Sequence, residues 1–119
     1  MRLIPTTILF ALWVSSAVAA GSVSDGQRDF GRCVGCHAIQ PEHNGIGPSL
    51  ADVAGRRSGS APGYNYSTAM TGAHLTWDDT SLDRFLANPQ GVVHGTKMFM
   101  AVPDPRQRQD IIAYLNTLK

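Results

Sequence analysis

Five consecutive residues, Cys33-Val34-Gly35-Cys36-His37, hold both cysteines of the 119-residue chain and one of its four histidines. Two thiols spaced by two residues lie about one helical turn apart. They can add to the two vinyl groups of one porphyrin. The imidazole that directly follows the second thiol is then carried under the iron as an axial ligand. The C-x-x-C-H spacing therefore reads as covalent attachment of a c-type haem.

Three other chemistries use the same residue types. A structural zinc ion needs four Cys/His ligands, commonly supplied as two paired halves. Here Cys33 and Cys36 have no second pair, and His43, His74 and His94 are scattered. A thioredoxin-like dithiol belongs at a strand-to-helix junction, and no strand-helix alternation is visible. A structural disulfide suits i, i+3 positions of a helix poorly. Haem is the reading the motif supports.

The elements that must position the motif can be read outward from it. Residues 1–20 form a separate object: Arg2 is the sole charge, Leu3 to Val14 is mostly apolar, and Ser15 to Ala20 is rich in small residues. This is the layout of a cleaved secretory signal peptide, with cleavage after Ala19 or Ala20. The apolar run is shorter than the roughly 20 residues that span a bilayer, and Pro5, Thr6 and Thr7 interrupt it. The remainder, residues 21–119, is one small domain with nine basic and nine acidic residues. Such a balance excludes a basic stripe for nucleic acid or an anionic membrane surface. A core this thin gains much from burying a large apolar cofactor.

Ser24 and Gln27 form a capping-box pattern, so a helix is expected to start at Ser24 and run through Phe30 into the motif. From Gln40 to Gly63 eight glycines and prolines argue for irregular chain, with at most a helical turn near Ser49 to Ala54. A loop of that length in a compact domain is unusual unless functional, and wrapping a cofactor is one such function. A short helix is expected from Ser67 to about Gly72. Another is expected from a start signal at Thr76, with Leu82, Phe85 and Leu86 on one face, ending at Asn88-Pro89. Gln90 to Pro103 reads as loop. The last helix is announced by Asp104 as N-cap, Pro105 at N1 and Gln107 at the capping-box position. Ile111, Ile112, Leu115 and Leu118 form its apolar stripe. Nothing alternates as strand, and the domain reads all-α.

The ordered set of Gly26 and Phe30, the haem motif, Gly47-Pro48-Ser49-Leu50, Gly55-Arg56, Ala61 to Tyr66, Leu75-Thr76-Trp77, Leu86 to Pro89, Gly95 to Met98 and Asp110 to Leu115 resembles the short, mitochondrial-like class I cytochromes c. The resemblance covers nearly all of residues 21–119. It implies a small all-α fold in which the first and last helices cross and Gly/Pro-rich loops wrap one covalent haem. It implies His37 and Met98 as the iron ligands, with Met98 preferred over Met100 because it follows Gly95-Thr96-Lys97. It also implies a Pro48 carbonyl that orients His37, propionate donors at Arg56, Tyr66 and Trp77, and a close helix contact among Gly26, Phe30, Ile111 and Tyr114. Met70, Phe85 and His94 depart from the family's usual asparagine, tyrosine and proline.

Together these features lead us to expect a soluble, periplasmic, monomeric one-electron carrier that is not an enzyme. Its redox partners are expected among membrane oxidases, reductases or periplasmic dehydrogenases of a respiratory chain. Alternatives are a dedicated cytochrome subunit of one such enzyme, or a five-coordinate haem protein that binds gas or peroxide. The family's lysine-rich docking face is missing, since Lys97 and Lys119 are the only lysines. That argues against a basic ring for acidic partners.

Overall fold

The computed structural model describes Leu12 and residues 21–119. The expected signal segment lies outside the described residues, Leu12 apart. The described chain is helical: α1 (Val23–Asp29), which continues as a 3₁₀ turn over Phe30–Arg32, then α2 (Thr68–Thr71), α3 (Asp79–Ala87), α4 (Pro89–Val92) and α5 (Pro105–Leu115). One isolated bridge, Arg57 with Thr76, is the extent of β pairing among the described residues. No helix among them is long and apolar enough to cross a membrane.

The termini of these helices follow local chemistry, in places shifted from the sequence expectation. α1 is capped by Ser22, whose hydroxyl accepts from the Asp25 N–H at 3.2 Å. Ser24 therefore lies inside the helix. The earlier start is fixed from outside, because the Ser22 N–H donates to the Asp110 carboxylate at 2.8 Å. α3 begins after Asp78 rather than Thr76. Asp78 and Ser81 cap one another reciprocally, each accepting from the other's backbone N–H. Ser67 and Gly72 bracket α2 as expected.

Residues 90–92, expected to be loop, belong with Pro89 to α4. Asn88 ends α3 and also caps the next turn through the Gly91 N–H, with Pro89 pre-set at the first helical position. Asp104 caps α5 through the Arg106 N–H at 2.9 Å. The Gln107 amide does not reach back to complete a capping box; its oxygen accepts from Arg32 at 3.2 Å.

α1 and α5 cross in contact. A Cβ built on Gly26 would overlap the Asp110 backbone carbonyl and lie 3.0 Å from the Tyr114 Cβ. Only a residue without a side chain allows the two backbones this close. Phe30 packs on Tyr114 with ring centroids 5.2 Å apart. Ile111, on the same helix face, is 1 % exposed. Burying each such side chain is worth roughly 1.5–3 kcal/mol. Arg108 ties α5 to α3 through Asp83 at 2.8 Å, and its guanidinium also donates to the carbonyls of Val102 and Pro103.

Two outcomes test this packing and capping. Gly26→Ala is expected to lower unfolding stability by about 2–3 kcal/mol, as overpacking against a rigid backbone does. Gly31→Ala, where a methyl meets open space, should change it far less; guanidinium unfolding reads both. Asp78→Ala should lower the midpoint at neutral pH and progressively less in acid. Bonding to Ser81 holds the Asp78 carboxyl below its ordinary range. A depressed folded-state value gives a contribution that is present above the unfolded pKa and is lost as pH falls through the folded one.

Candidate haem site

The end of α1 delivers the motif. The Cys33 N–H donates to the Phe30 carbonyl at 2.8 Å, and the Cys36 and His37 N–H groups both donate to the Cys33 carbonyl, at 3.1 and 2.9 Å. The five residues thus wind as one turn, with Cys33 buried, Cys36 exposed and both thiols unpaired. Burial raises the Cys33 thiol above its ordinary pKa, against a pull downward from Arg32.

The loop after the motif folds back on this turn. The Gly47 N–H donates to the Cys36 carbonyl and the Leu50 N–H to the Ala38 carbonyl, both at 2.9 Å. His37 lies with Nδ1 2.7 Å from the Pro48 carbonyl oxygen. A carbonyl can only accept, so Nδ1 carries the proton and Nε2 keeps a lone pair for a metal. Burial lowers the His37 pKa, the Pro48 bond opposes this, and Arg56 adds to the lowering. The result favours the neutral imidazole that ligation requires. Gly47 makes room for the ring, for a Cβ there would approach its atoms to 2.5–3.0 Å.

The residues expected to hold the haem meet at one cavity of about 380 Å³: Cys33, Cys36, His37, Pro48, Arg56, Tyr66, Trp77 and Met98 line it. Its volume lies within the range of cofactor sites. Apolar walls come from the helices, with Leu82, Phe85 and Leu86 from α3 and Ile111 and Leu115 from α5. Met70 and Phe85, the departures from the family pattern, are both buried in this wall, whereas His94 is exposed outside it. Trp77 packs on Phe85 at 5.0 Å between ring centroids.

The polar groups are few and specific. The Arg56 guanidinium donates to the Ala51 and Ser49 carbonyls at 2.7 and 3.0 Å, while its Nε is buried with no partner among the described residues. It is not a solvated surface charge. The Tyr66 hydroxyl accepts from the Ala61 N–H at 2.9 Å, which leaves its own O–H to donate. An apolar slot with a thiol pair, an imidazole nitrogen, a thioether and leftover donors fits a haem and its propionates. A zinc site does not fit, since no group of three or more His, Cys, Asp or Glu is placed to hold a metal ion among the described residues.

Three further residues shape the cavity without having been singled out. Tyr64 donates to the Ile46 carbonyl at 2.6 Å and packs edge-on to Tyr66. Asn44 donates to the Pro62 carbonyl and accepts from the Ser49 N–H, clipping two loops together. Gln90 contacts the loop that bears Met98. Tyr64 lies inside a stretch the resemblance covers; Asn44 carries no sequence signal, because its partners are backbone groups of distant loops.

A helical shell crossed at its termini, with a C-x-x-C-H turn opening on an apolar slot, defines a single-haem c-type cytochrome domain. The comparisons agree. The cytochrome c family model matches residues 23–119. Cytochrome c2 of Rhodomicrobium vannielii is 45% identical over 108 residues, covering 89% of this chain and 86% of that protein. Cytochrome cH from Methylobacterium extorquens superposes with a TM-score of 0.77 at 43% identity, covering 82% of this chain and 99% of that one. Cytochrome c2 from Rhodospirillum centenum gives 0.78 at 30% identity, covering 82% and 98%. The chain belongs to the class I cytochromes c, electron carriers rather than enzymes, with one covalent haem for which Cys33 and Cys36 form the attachment motif.

Gly47→Ala is expected to push the imidazole off the Pro48 carbonyl. The loss of that bond should cost about 1–3 kcal/mol in unfolding stability and should shift or abolish the His37 Nδ1–H resonance in the NMR spectrum of the holoprotein.

Proposed function

We propose that residues 21–119, released by cleavage of the first twenty, carry single electrons between larger redox proteins in the periplasm, with His37 and Met98 as the two axial ligands of the haem. The observation that carries this reading is the 2.7 Å contact between His37 Nδ1 and the Pro48 carbonyl, which leaves the imidazole's other nitrogen available to bind iron. The bound haem supplies reversible Fe(III)/Fe(II) chemistry. The chain's residues set its conditions. Met98 offers a soft thioether, which favours the ferrous state and raises the potential. Met98 and Met100 both line the cavity, Met98 half-buried and Met100 40% exposed. Arg56 through its unpartnered Nε, Tyr66 through its O–H, and Trp77 would serve as propionate donors. A buried carboxylate left unpaired costs several kcal/mol, so donors are required there. With His37 and Met98 both bound, iron would offer substrate no open site, in keeping with a carrier.

The partner-facing side has its own character. Phe99 and Ile46 line the cavity yet are 78% and 76% exposed. Neither lysine is free to form a basic ring: Lys97 donates to the Asn65 carbonyl at 2.5 Å and Lys119 to that of Ala54 at 3.3 Å. The domain acts as a monomer and meets a membrane oxidase, a reductase or a periplasmic dehydrogenase through a largely apolar margin.

Met98→Ala should abolish the ferric thioether–iron charge-transfer band and lower the potential by a sizeable part of the roughly 0.8 V range that axial ligation spans. Met100→Ala should keep both near wild type. Optical spectra with potentiometric titration decide, and the reverse pattern would give the ligand role to Met100. Fast CO binding by ferrous wild type would point instead to a five-coordinate iron.

A further inference from the structure

The loop carrying Met98 has little main-chain support. Residues 97–101 make no backbone–backbone hydrogen bond among the described residues; the nearest such bonds are Thr96 N–H to the Val93 carbonyl at 3.0 Å and Val102 N–H to the Leu86 carbonyl at 2.8 Å. Lys97 is tied outward to the Asn65 carbonyl, and the Met98 carbonyl is held by one side chain. Gln90, on α4, donates from Nε2 to the Thr96 carbonyl at 2.7 Å and to the Met98 carbonyl at 3.1 Å, and its Oε1 accepts from the Gly95 N–H at 3.2 Å. We propose that Gln90 is a positioning residue: its amide clamps the loop from Gly95 to Met98 and so holds the Met98 thioether on iron against displacement. This rests on Met98 being the axial ligand.

The chemistry of the side chain explains why an amide is needed. The site asks for two donors and one acceptor from a single group. Glutamine supplies both, whereas a carboxylate has no donor at neutral pH and a lysine ammonium has no acceptor. The base of the clamp is itself fixed. Asn88 caps α4, Pro89 is buried, and the Val93 N–H closes the turn on the Pro89 carbonyl at 2.9 Å. The loop end is shaped to receive it. Gly95 adopts φ +98°, a left-handed conformation favoured by glycine, and a Cβ there would stand 3.2 Å from that of Ala69. The Thr96 hydroxyl accepts from the Met98 N–H at 3.4 Å, a long bond that adds little hold of its own. Breaking the clamp therefore frees the ligand residue more than it unsettles the helices.

Imidazole, added to the ferric holoprotein, competes with Met98 for iron and reports how readily the loop opens. Gln90→Ala and the near-isosteric Gln90→Glu are both expected to raise imidazole affinity about tenfold or more, while the thioether charge-transfer band persists without imidazole. Asn116→Ala, which removes side-chain bonds to Asp79 and the Ile112 carbonyl, should lower unfolding stability without that change. Imidazole affinity within about twofold of wild type in the Gln90 variants would overturn the clamp, even if their unfolding midpoints fell. Should Gln90→Ala not mature, Gln90→Glu decides alone, since it keeps length and acceptor. A wild-type protein lacking the thioether band would overturn Met98 ligation and the clamp with it, whereas a normal band with unmoved affinity overturns the clamp only.

Discussion

The close approach of α1 and α5 at Gly26 is the constraint from which the rest of the molecule hangs. With the Asp110 carbonyl lying where a Cβ would be, the two helices lock at one depth and one register. That register stacks Phe30 on Tyr114 and buries Ile111. It also sets the direction in which the chain leaves α1, and so where Cys33, Cys36 and His37 stand. Asp110 contributes twice. Its backbone receives α1, and its buried carboxylate accepts from the Ser22 N–H while Arg106 lies 3.4 Å away. Terminal helix, thiol pair and the His37 imidazole are thereby placed by a single contact.

Around that frame the loops form a lining held by backbone bonds such as Gly55 N–H to the Trp77 carbonyl and Ser58 N–H to the Leu75 carbonyl. Isolated polar side chains close them: Asn44 clips one loop to the next, Arg56 gathers the Ser49 and Ala51 carbonyls, and Gln90 spans Gly95 to Met98. Each answers backbone groups that no sheet or helix satisfies, and leaving these unmet in an apolar wall would cost about 1–3 kcal/mol apiece. A chain of this size gains stability from enclosing a large apolar cofactor.

Much of this is legible in the residues. The cap at Asp104 with Pro105, the bracket of Ser67 and Gly72, and the stop at Asn88-Pro89 all fall where local chemistry puts them. The departures share a cause. The cap of α1 moves to Ser22 because the Asp110 carboxylate holds its N–H, and Gln107 leaves the capping box because Arg32 offers a charged donor. Both partners lie more than seventy positions away in the sequence. α4 escapes a reading by pattern because Asn88-Pro89 serves as an end and a beginning at once, and a one-residue overlap leaves no periodicity to read.

By itself the sequence determined the chemistry of attachment, the helical class and the identity of the lining residues, since thiol spacing, capping side chains and apolar stripes act over a few positions. Only the tertiary structure decided how those residues share one cavity. It gave His37 its tautomer through the Pro48 carbonyl, left Arg56 Nε without a partner among the described residues, turned both lysines back onto the chain, and set Gln90 against the methionine loop. The reason is physical: each of these depends on a backbone carbonyl or N–H brought near by folding. Every residue carries such groups alike, so no residue type announces where they will be needed.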